Sequence, residues 1–296
     1  MSANRKYRKG LRNNYRSNMP LAEAWMKDIR FAVSDAWKWM RKFRLPVIVA
    51  YPDFPSKKTT LFKIADQLGY RLTNKTVKHP EVVIYFEDIT HGCSDDLRST
   101  YPDTKMLNEH CTDISKKKVD AVHQQIFGYN TFIDPVTYQG VAVCKSDTNA
   151  LHDGRMVQCP LPHAEDAVVY QVLIDNTHSK EYVMDYRVAV IGNEVVTAYK
   201  KFKRHEVRFT NEVSYSEMHS PESLFSEGEL QLIVAFAKAM GAHFCELDVL
   251  RNKTDNRIYI IDLNKTPYGP PAGLPVRDAS MAVMLLTSAF RKAFEV

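Results

Sequence analysis

Apolar residues recur along this chain with two different periods, and the switches between them outline an alternating order of helices and strands. From Leu21 to Phe43 the spacing is helical, through Trp25, Ile29, Ala32, Ala36 and Met40, with Pro20 near the start and Pro46 beyond the end. Val47–Tyr51 is a short continuous run of the buried-strand kind. A turn leads into a second helical pattern, Thr60–Leu68, which stops at Gly69, and Glu81–Phe86 is another strand. Strand, helix, strand implies a small parallel α/β unit, whose loop Asp53–Lys58 lies where open sheets place ligands. A helix is expected over Asn108–Gln125 with Asp113 as its N-cap. Then come a strand, Gly140–Lys145, a polar loop from Ser146 to Arg155, and a strand-like run, Val168–Ile174. Gly192-Asn193 predicts a hairpin of Tyr186–Ile191 and Glu194–Tyr199. Glu227–Met240 is helical and ends at Gly241. Two further apolar strands, beginning at Glu246 and Ile258, pair across Asn252–Asn256, and Asp278–Phe294 is a closing helix.

With 296 residues, 45% of them hydrophobic, the chain can build a substantial core and two or three lobes. No apolar run approaches the roughly 18 to 20 residues of a membrane span. Residues 1–18 are rich in Arg, Lys and Asn and lack the apolar centre of a secretory signal. Cys93, Cys111, Cys144, Cys159 and Cys245 are odd in number and form no CxxC pair, which argues against a disulfide framework or a zinc ribbon. They predict reduced, buried thiols in a cytoplasmic protein. The net charge of +5 is concentrated: Arg5, Lys6, Arg8, Lys9, Arg12 and Arg16 have no acid among them, and Lys200, Lys201, Lys203 and Arg204 form a second cluster. Such clusters imply anionic partners, and no recognised nucleic-acid module accompanies them. Trp25, Trp37 and Trp39 sit among basic residues in the first helix. Packing on the domain or on a second subunit is the favoured use of that helix, and peripheral membrane contact the less favoured one.

The candidate chemistry lies near the end of the chain. Side chains alternate along a strand, so Asp262 and Asn264 point the same way, and the hairpin lets Asp248 join them. Three oxygen ligands on one face suit Mg²⁺. Lys145 ends the strand that begins at Gly140. Arg187 stands in an apolar run, and a buried guanidinium needs anionic partners.

From about Leu45 onward, this order of parts resembles the ATP-grasp superfamily. The resemblance implies an α/β (α+β) fold of ATP-grasp architecture. A basic tail and amphipathic helix (1–44) would precede a small N-terminal α/β domain (45–107). A two-lobed ATP-binding region built on antiparallel sheets (108–296) would follow, its central lobe about 108–170 and its C-terminal lobe about 171–296. It implies ATP and Mg²⁺ as cofactors. Lys116, with Lys117 a rival in register, and Lys145 match the family's phosphate-binding lysines. The loop Ser146–Gly154 matches the phosphate-covering loop but is poorer in glycine, leaving Asn149 and His152 as its donors. Gln171 and Leu173 match the hinge whose backbone meets adenine, and Asp175 the position for the ribose hydroxyls. Arg187 and Lys201, the latter flanked by Lys200 and Lys203, match the residues facing the reaction centre. Asp248, Asp262 and Asn264 match the metal ligands, with Asp262 one methylene shorter than the usual glutamate. Asn264–Gly269 resembles the family's Asn-x-x-Pro-Gly turn with Tyr268 inserted.

The implied activity is ligation of a small-molecule carboxylate to an amine through an acyl phosphate. A homodimer or a carrier protein would dock through the N-terminal helix. Three rival readings remain, one of them a basic nucleic-acid binder, which a steep salt dependence of DNA or RNA binding would mark. A kinase would leave ADP and a stable phosphoester, where a ligase leaves ADP, phosphate and an amide. A nucleotide-binding partner protein without turnover fits less well with both lysines, Arg187 and all three metal-type ligands being present.

Overall fold

The structure is a computed structural model that describes residues 21–40, 45–149, 151 and 153–296. The basic tail and His152 lie outside the described residues, as do the side chains of Trp37 and Trp39. Helix α1 (Leu21–Met40) is followed by β1 (Val47–Pro52), α2 (Thr60–Leu68), β2 (Arg71–Thr73) and β3 (Val82–Phe86). A short helix α3 (Asp95–Thr100) and β4 (Met106–Leu107) complete a parallel sheet of order β2-β1-β3-β4. Its two central strands are buried on both faces, as their unbroken apolar runs require. The Thr59 hydroxyl caps α2 by accepting from Phe62 N, and Gly69 ends it at φ 72°, a left-handed conformation that glycine takes without a Cβ clash.

Helix α4 (Lys116–Phe127) begins later than expected. Its N-cap is Ser115, whose hydroxyl accepts from Lys118 N at 3.2 Å. Asp113 instead accepts from Ser115 N at 2.9 Å, so its carboxylate shapes the turn before the cap. An antiparallel sheet of order β6-β5-β7 follows, built from β5 (Gly140–Ser146), β6 (Arg155–Cys159) and β7 (Val168–Val172). Its edge strand β6 is largely exposed, so no buried apolar run marks it in the sequence.

The largest sheet is antiparallel, of order β10-β9-β8-β11-β12. It comprises β8 (Tyr182–Ile191), β9 (Glu194–Arg204), β10 (Tyr215–His219), β11 (Phe244–Arg251) and β12 (Ile258–Asn264). Alternation gives it two unlike faces. On one face Val188, Val190, Leu247, Val249 and Ile260 form a core with Val119 and Val122 of α4. Ile233 and Phe236, from α5 (Glu227–Ala239), close the same core. Thus α4, expected to open the central lobe, packs against the five-stranded sheet. The other face carries Arg187, Lys201, Asp248 and Asp262. Helix α6 (Val276–Phe294) joins the end of this sheet to the parallel sheet through Leu286 and Phe290, in a core shared with Ile48, Ile84, Ala189 and Phe244.

One irregularity in this sheet sets the site. Asp248 lies opposite Asp262, but the next pair is Val249 with Ile260, leaving Ile261 as an extra residue in β12. Strict alternation would place Ile258, Ile260, Asp262 and Asn264 on one face. The bulge sends Ile258 and Ile260 into the core, while Ile261, Asp262 and Asn264 line the opposite side.

Four of the five cysteines are buried as expected, Cys245 among them, but Cys93 is exposed at the start of the α3 turn. His123 of α4 is fully buried, stacked on Phe127 at 4.2 Å, and neither ring nitrogen has a hydrogen-bond partner among the described residues. Burial pushes its pKa down to about 4. An unfolded histidine binds its proton near pH 6.5, so the folded state keeps its full stability above that value and loses it as pH falls toward 4. Over that window the loss is expected to be about 3 kcal/mol. Urea unfolding of His123→Phe should show a clearly shallower dependence between pH 4 and 6.5 than the parent chain; equal slopes would dismiss this account.

Candidate active site

The charged face of the five-stranded sheet and the three-stranded sheet enclose a cavity of about 480 Å³. Lys116, Lys145, Gln171, Leu173, Arg187, Lys201, Asp248, Asp262 and Asn264 all line it. These residues come from seven different elements or their ends, and the sheet alternation explains most of them. Asp185 and Arg187 on β8, Lys201 and Lys203 on β9, Asp248 on β11 and Asp262 on β12 share one face through direct cross-strand pairing.

Asp248 is the electrostatic centre. Its carboxylate accepts from Arg187 Nε at 3.0 Å and Nη2 at 3.1 Å, and from Lys201 Nζ at 2.8 Å. Burial works to raise its pKa, but the two cations outweigh it and hold the carboxyl well below the usual range. Asp262 stands opposite with no such partner among the described residues. Its Oδ1 is buried without a hydrogen bond, and burial together with the Asp248 charge raises its pKa. Half-buried Lys145 is pushed down to about 8 by desolvation and by Lys116, with Asp262 pulling the other way. Behind them lies Glu246, 2% exposed, with both oxygens unbonded and Arg187 Nη1 at 3.7 Å. Burial raises its pKa too.

An orphaned buried carboxylate oxygen facing a second carboxylate is an environment that a cation relieves. Among the described residues no three His, Cys, Asp or Glu side chains group as a metal cluster. The donors available are Asp248, Asp262 and the Asn264 amide, whose Oδ1 also accepts from Thr266 N at 2.9 Å. An all-oxygen set of this size fits Mg²⁺ with its remaining ligands from water or phosphate.

The other candidate residues fall around this centre. Lys116 Nζ donates to Thr148 O at 3.0 Å, tying α4 to the loop after β5. Asn149 of that loop lines the cavity, its N donating to Thr90 Oγ1 at 2.9 Å. Gln171 is paired with Val143 on one side and Phe132 on the other, and its side chain donates to Thr131 Oγ1 at 2.6 Å. Leu173 lies just past the last paired residue of β7. Asp175 is exposed and does not line the cavity; its carboxylate accepts from Thr177 N at 3.0 Å, closing a turn as the chain leaves the strand. In its place the cavity wall holds Asn176, Asp185, Lys203 and Arg208. Asn176 Nδ2 donates to Asp185 Oδ1 at 2.7 Å, Arg208 Nη2 to Asn176 Oδ1 at 2.8 Å, and Lys203 Nζ lies 3.0 Å from Asp185 Oδ2. The sequence signal for Asp185 and Lys203 is their spacing of two from Arg187 and Lys201; Arg208 carries none.

A family model of the RimK-like ATP-grasp domain matches residues 115–269, which span every lining residue singled out above. Among solved structures, the ATP-grasp ligase PsnB complexed with minimal precursor, Mg and ADP is similar at 14% identity and a TM-score of 0.55, covering 84% of this chain and 98% of that one. The D-alanine–D-alanine ligase of Bacillus anthracis complexed with ATP is similar at 12% identity and a TM-score of 0.50, covering 84% of this chain and 96% of that one. A comparison with curated proteins finds no match.

Proposed function

Because the chain belongs to the RimK-like ATP-grasp family, we propose that it joins a carboxylate to an amine through an acyl phosphate, as an ATP-grasp ligase with Mg-ATP as its cofactor. The observation that carries this reading is the meeting of Lys145, Arg187 and Lys201 with Asp248 and the unpartnered Asp262 in one cavity. In this reading Lys145, from the three-stranded sheet, and Lys116, from the start of α4, hold the polyphosphate. Asp248, Asp262 and Asn264 hold the metal from the opposite side. Bound there, Mg²⁺ supplies positive charge to phosphate oxygens. Arg187 and Lys201, released from Asp248 in part, neutralise the charge that spreads over the transferring oxygens. A carboxylate oxygen bonds to the γ-phosphorus and ADP leaves. The amine nitrogen then bonds to the carbonyl carbon, phosphate leaves, and the nitrogen gives up a proton to solvent. No side-chain nucleophile is needed.

The reaction class is tested by screening acids and amines for ADP release with mass detection of the joined product. An amide that forms only when both substrates are present supports ligation. A stable phosphoester formed without an amine would replace it with phosphoryl transfer.

Lys145 provides a second test. A lysine that titrates near 8 in the free protein binds phosphate as the ammonium, so nucleotide affinity is expected to hold below pH 8 and weaken as pH rises through it. Lys145→Arg should remove that break, and Lys145→Ala should weaken binding about 10- to 100-fold at pH 7. Calorimetric titrations that show the same affinity in all three chains would remove Lys145 from the phosphate site.

A further inference from the structure

Helix α1 is amphipathic, yet it packs on the domain with the wrong face. Among its described side chains Phe31 is the buried one, edge-on to Phe62 at 5.5 Å. The neighbouring contacts are polar: Ser34 Oγ donates to Asp66 Oδ1 at 2.8 Å, and Lys57 Nζ lies 3.3 Å from Asp28. At about 100° per residue, the apolar stripe lies elsewhere. Trp25, Met26, Ile29, Val33 and Met40 fall within roughly a third of the helix circumference, and each is between 55% and 71% exposed. The alanines at 22, 32 and 36 fill the same stripe and are exposed as well. A continuous apolar band of this kind on a soluble surface marks a face that something covers.

The charge around the stripe selects the partner. Residues 1–44 hold twelve Lys and Arg against three acids, although the whole chain totals only +5, so the rest of the molecule is net acidic. Six of those bases come just before the helix, between Arg5 and Arg16, and Arg41, Lys42 and Arg44 come just after it. Asp28 is turned toward the domain by Lys57. Two copies of so basic a segment repel each other, which disfavours self-pairing through α1. A nucleic acid would use the charge but leave the apolar stripe in water. An anionic lipid surface uses both: apolar side chains enter the headgroup boundary while Lys and Arg meet the lipid phosphates and carboxylates. We propose that α1 and the basic segment before it dock the enzyme on an anionic membrane surface, with the apolar stripe inserted in the plane of the interface. Among the described residues no helix is long and apolar enough to cross a membrane, so this is attachment without spanning.

All three tryptophans of the chain lie between residues 25 and 39, so tryptophan emission reports this segment alone. The test uses the full chain with vesicles of phosphatidylcholine, with and without about 30% phosphatidylserine. Co-sedimentation with the anionic vesicles and a blue shift of the emission are expected, both lost at about 0.5 M salt. Ile29→Glu with Val33→Glu should weaken vesicle binding about tenfold or more and leave ADP release unchanged. Replacing the six bases between Arg5 and Arg16 by glutamine is a second variant, with its melting temperature and ADP release compared with the parent as controls, and it should abolish the preference for anionic lipid. Absence of binding, equal binding to neutral vesicles, or a dimer in sedimentation velocity that the Ile29→Glu/Val33→Glu change dissolves would each overturn the proposal.

Discussion

Asp262→Asn is expected to abolish Mg-ATP turnover, by about 100-fold or more, while the protein without ligand melts no earlier than the parent. The two halves of this expectation come from one fact. Asp262 is a buried carboxylate with an unbonded oxygen, opposite a second carboxylate, and its pKa is raised. A raised carboxylate pKa means that ionisation at pH 7 costs the folded state more than the unfolded one. Removing the charge therefore relieves the empty protein, and asparagine keeps the shape. The same substitution takes away a ligand charge from the ion. The parent chain should gain thermal stability on adding Mg²⁺ with ADP, and the variant should gain far less. A variant that turns over ATP normally, or that shows the full Mg²⁺-ADP shift, would take Asp262 out of the metal site.

Asp248→Ala should behave in the opposite way before any ligand is added. Arg187 and Lys201 both depend on that carboxylate, and Lys201 is only 3% exposed. Deleting the anion leaves two cations in a low-dielectric pocket. Loss of one member of a buried pair costs about 3–5 kcal/mol, and the 20% exposure of Asp248 places this case toward the lower end. The midpoint of urea unfolding should fall accordingly. Adding Arg187→Met to Asp248→Ala should restore part of the loss, because it removes one of the stranded charges; neither single nor double variant should turn over substrate. Strictly additive destabilisation in the double variant would show that the two side chains act independently.

The contrast between these neighbours marks what the sequence made legible. Alternation along a strand placed Asp262 with Asn264, and the polar break at Asn252–Asn256 supplied the hairpin that brings Asp248 across. These are local rules over a few residues. The pairing of Asp248 with Arg187 spans 61 positions and exists because β11 lies between β8 and β12, a neighbour relation set by the whole sheet. The bulge at Ile261 was hidden for a related reason. Ile258, Tyr259, Ile260 and Ile261 are all apolar, so the run does not say where the faces switch. Strands with an unbroken apolar run, such as β1 and β3, declare themselves, whereas β2 and β4, three and two residues long, exist only because a neighbour offers its edge. Edge strands β6 and β10 were missed because their exposed side chains look like loop. At the helix starts, Asp113 and Ser115 are both good cap residues, and only the geometry chooses Ser115. Asp175 illustrates the limit at the site itself. A one-residue difference at a strand end decides whether a side chain faces the cavity, and there Asn176 does.

The extra residue at Ile261 separates the hairpin into two modules in series. On the far side of it, from Val249 to Ile260, the strands serve packing against α4 and α5; on the near side, Asp248 and Asp262 face each other across the ladder. Lengthening or grafting the connecting turn at 252–257 alters only the far module. Removing Ile261 itself would straighten β12 and still leave an aspartate, a leucine and an asparagine in outward, inward, outward succession. The orientation of the chemistry-bearing pair is thus fixed by its cross-strand partners, Asp262 opposite Asp248 and Asp248 opposite Arg187, and the extra residue adds curvature to β12 without changing the order of faces from Asp262 to Asn264.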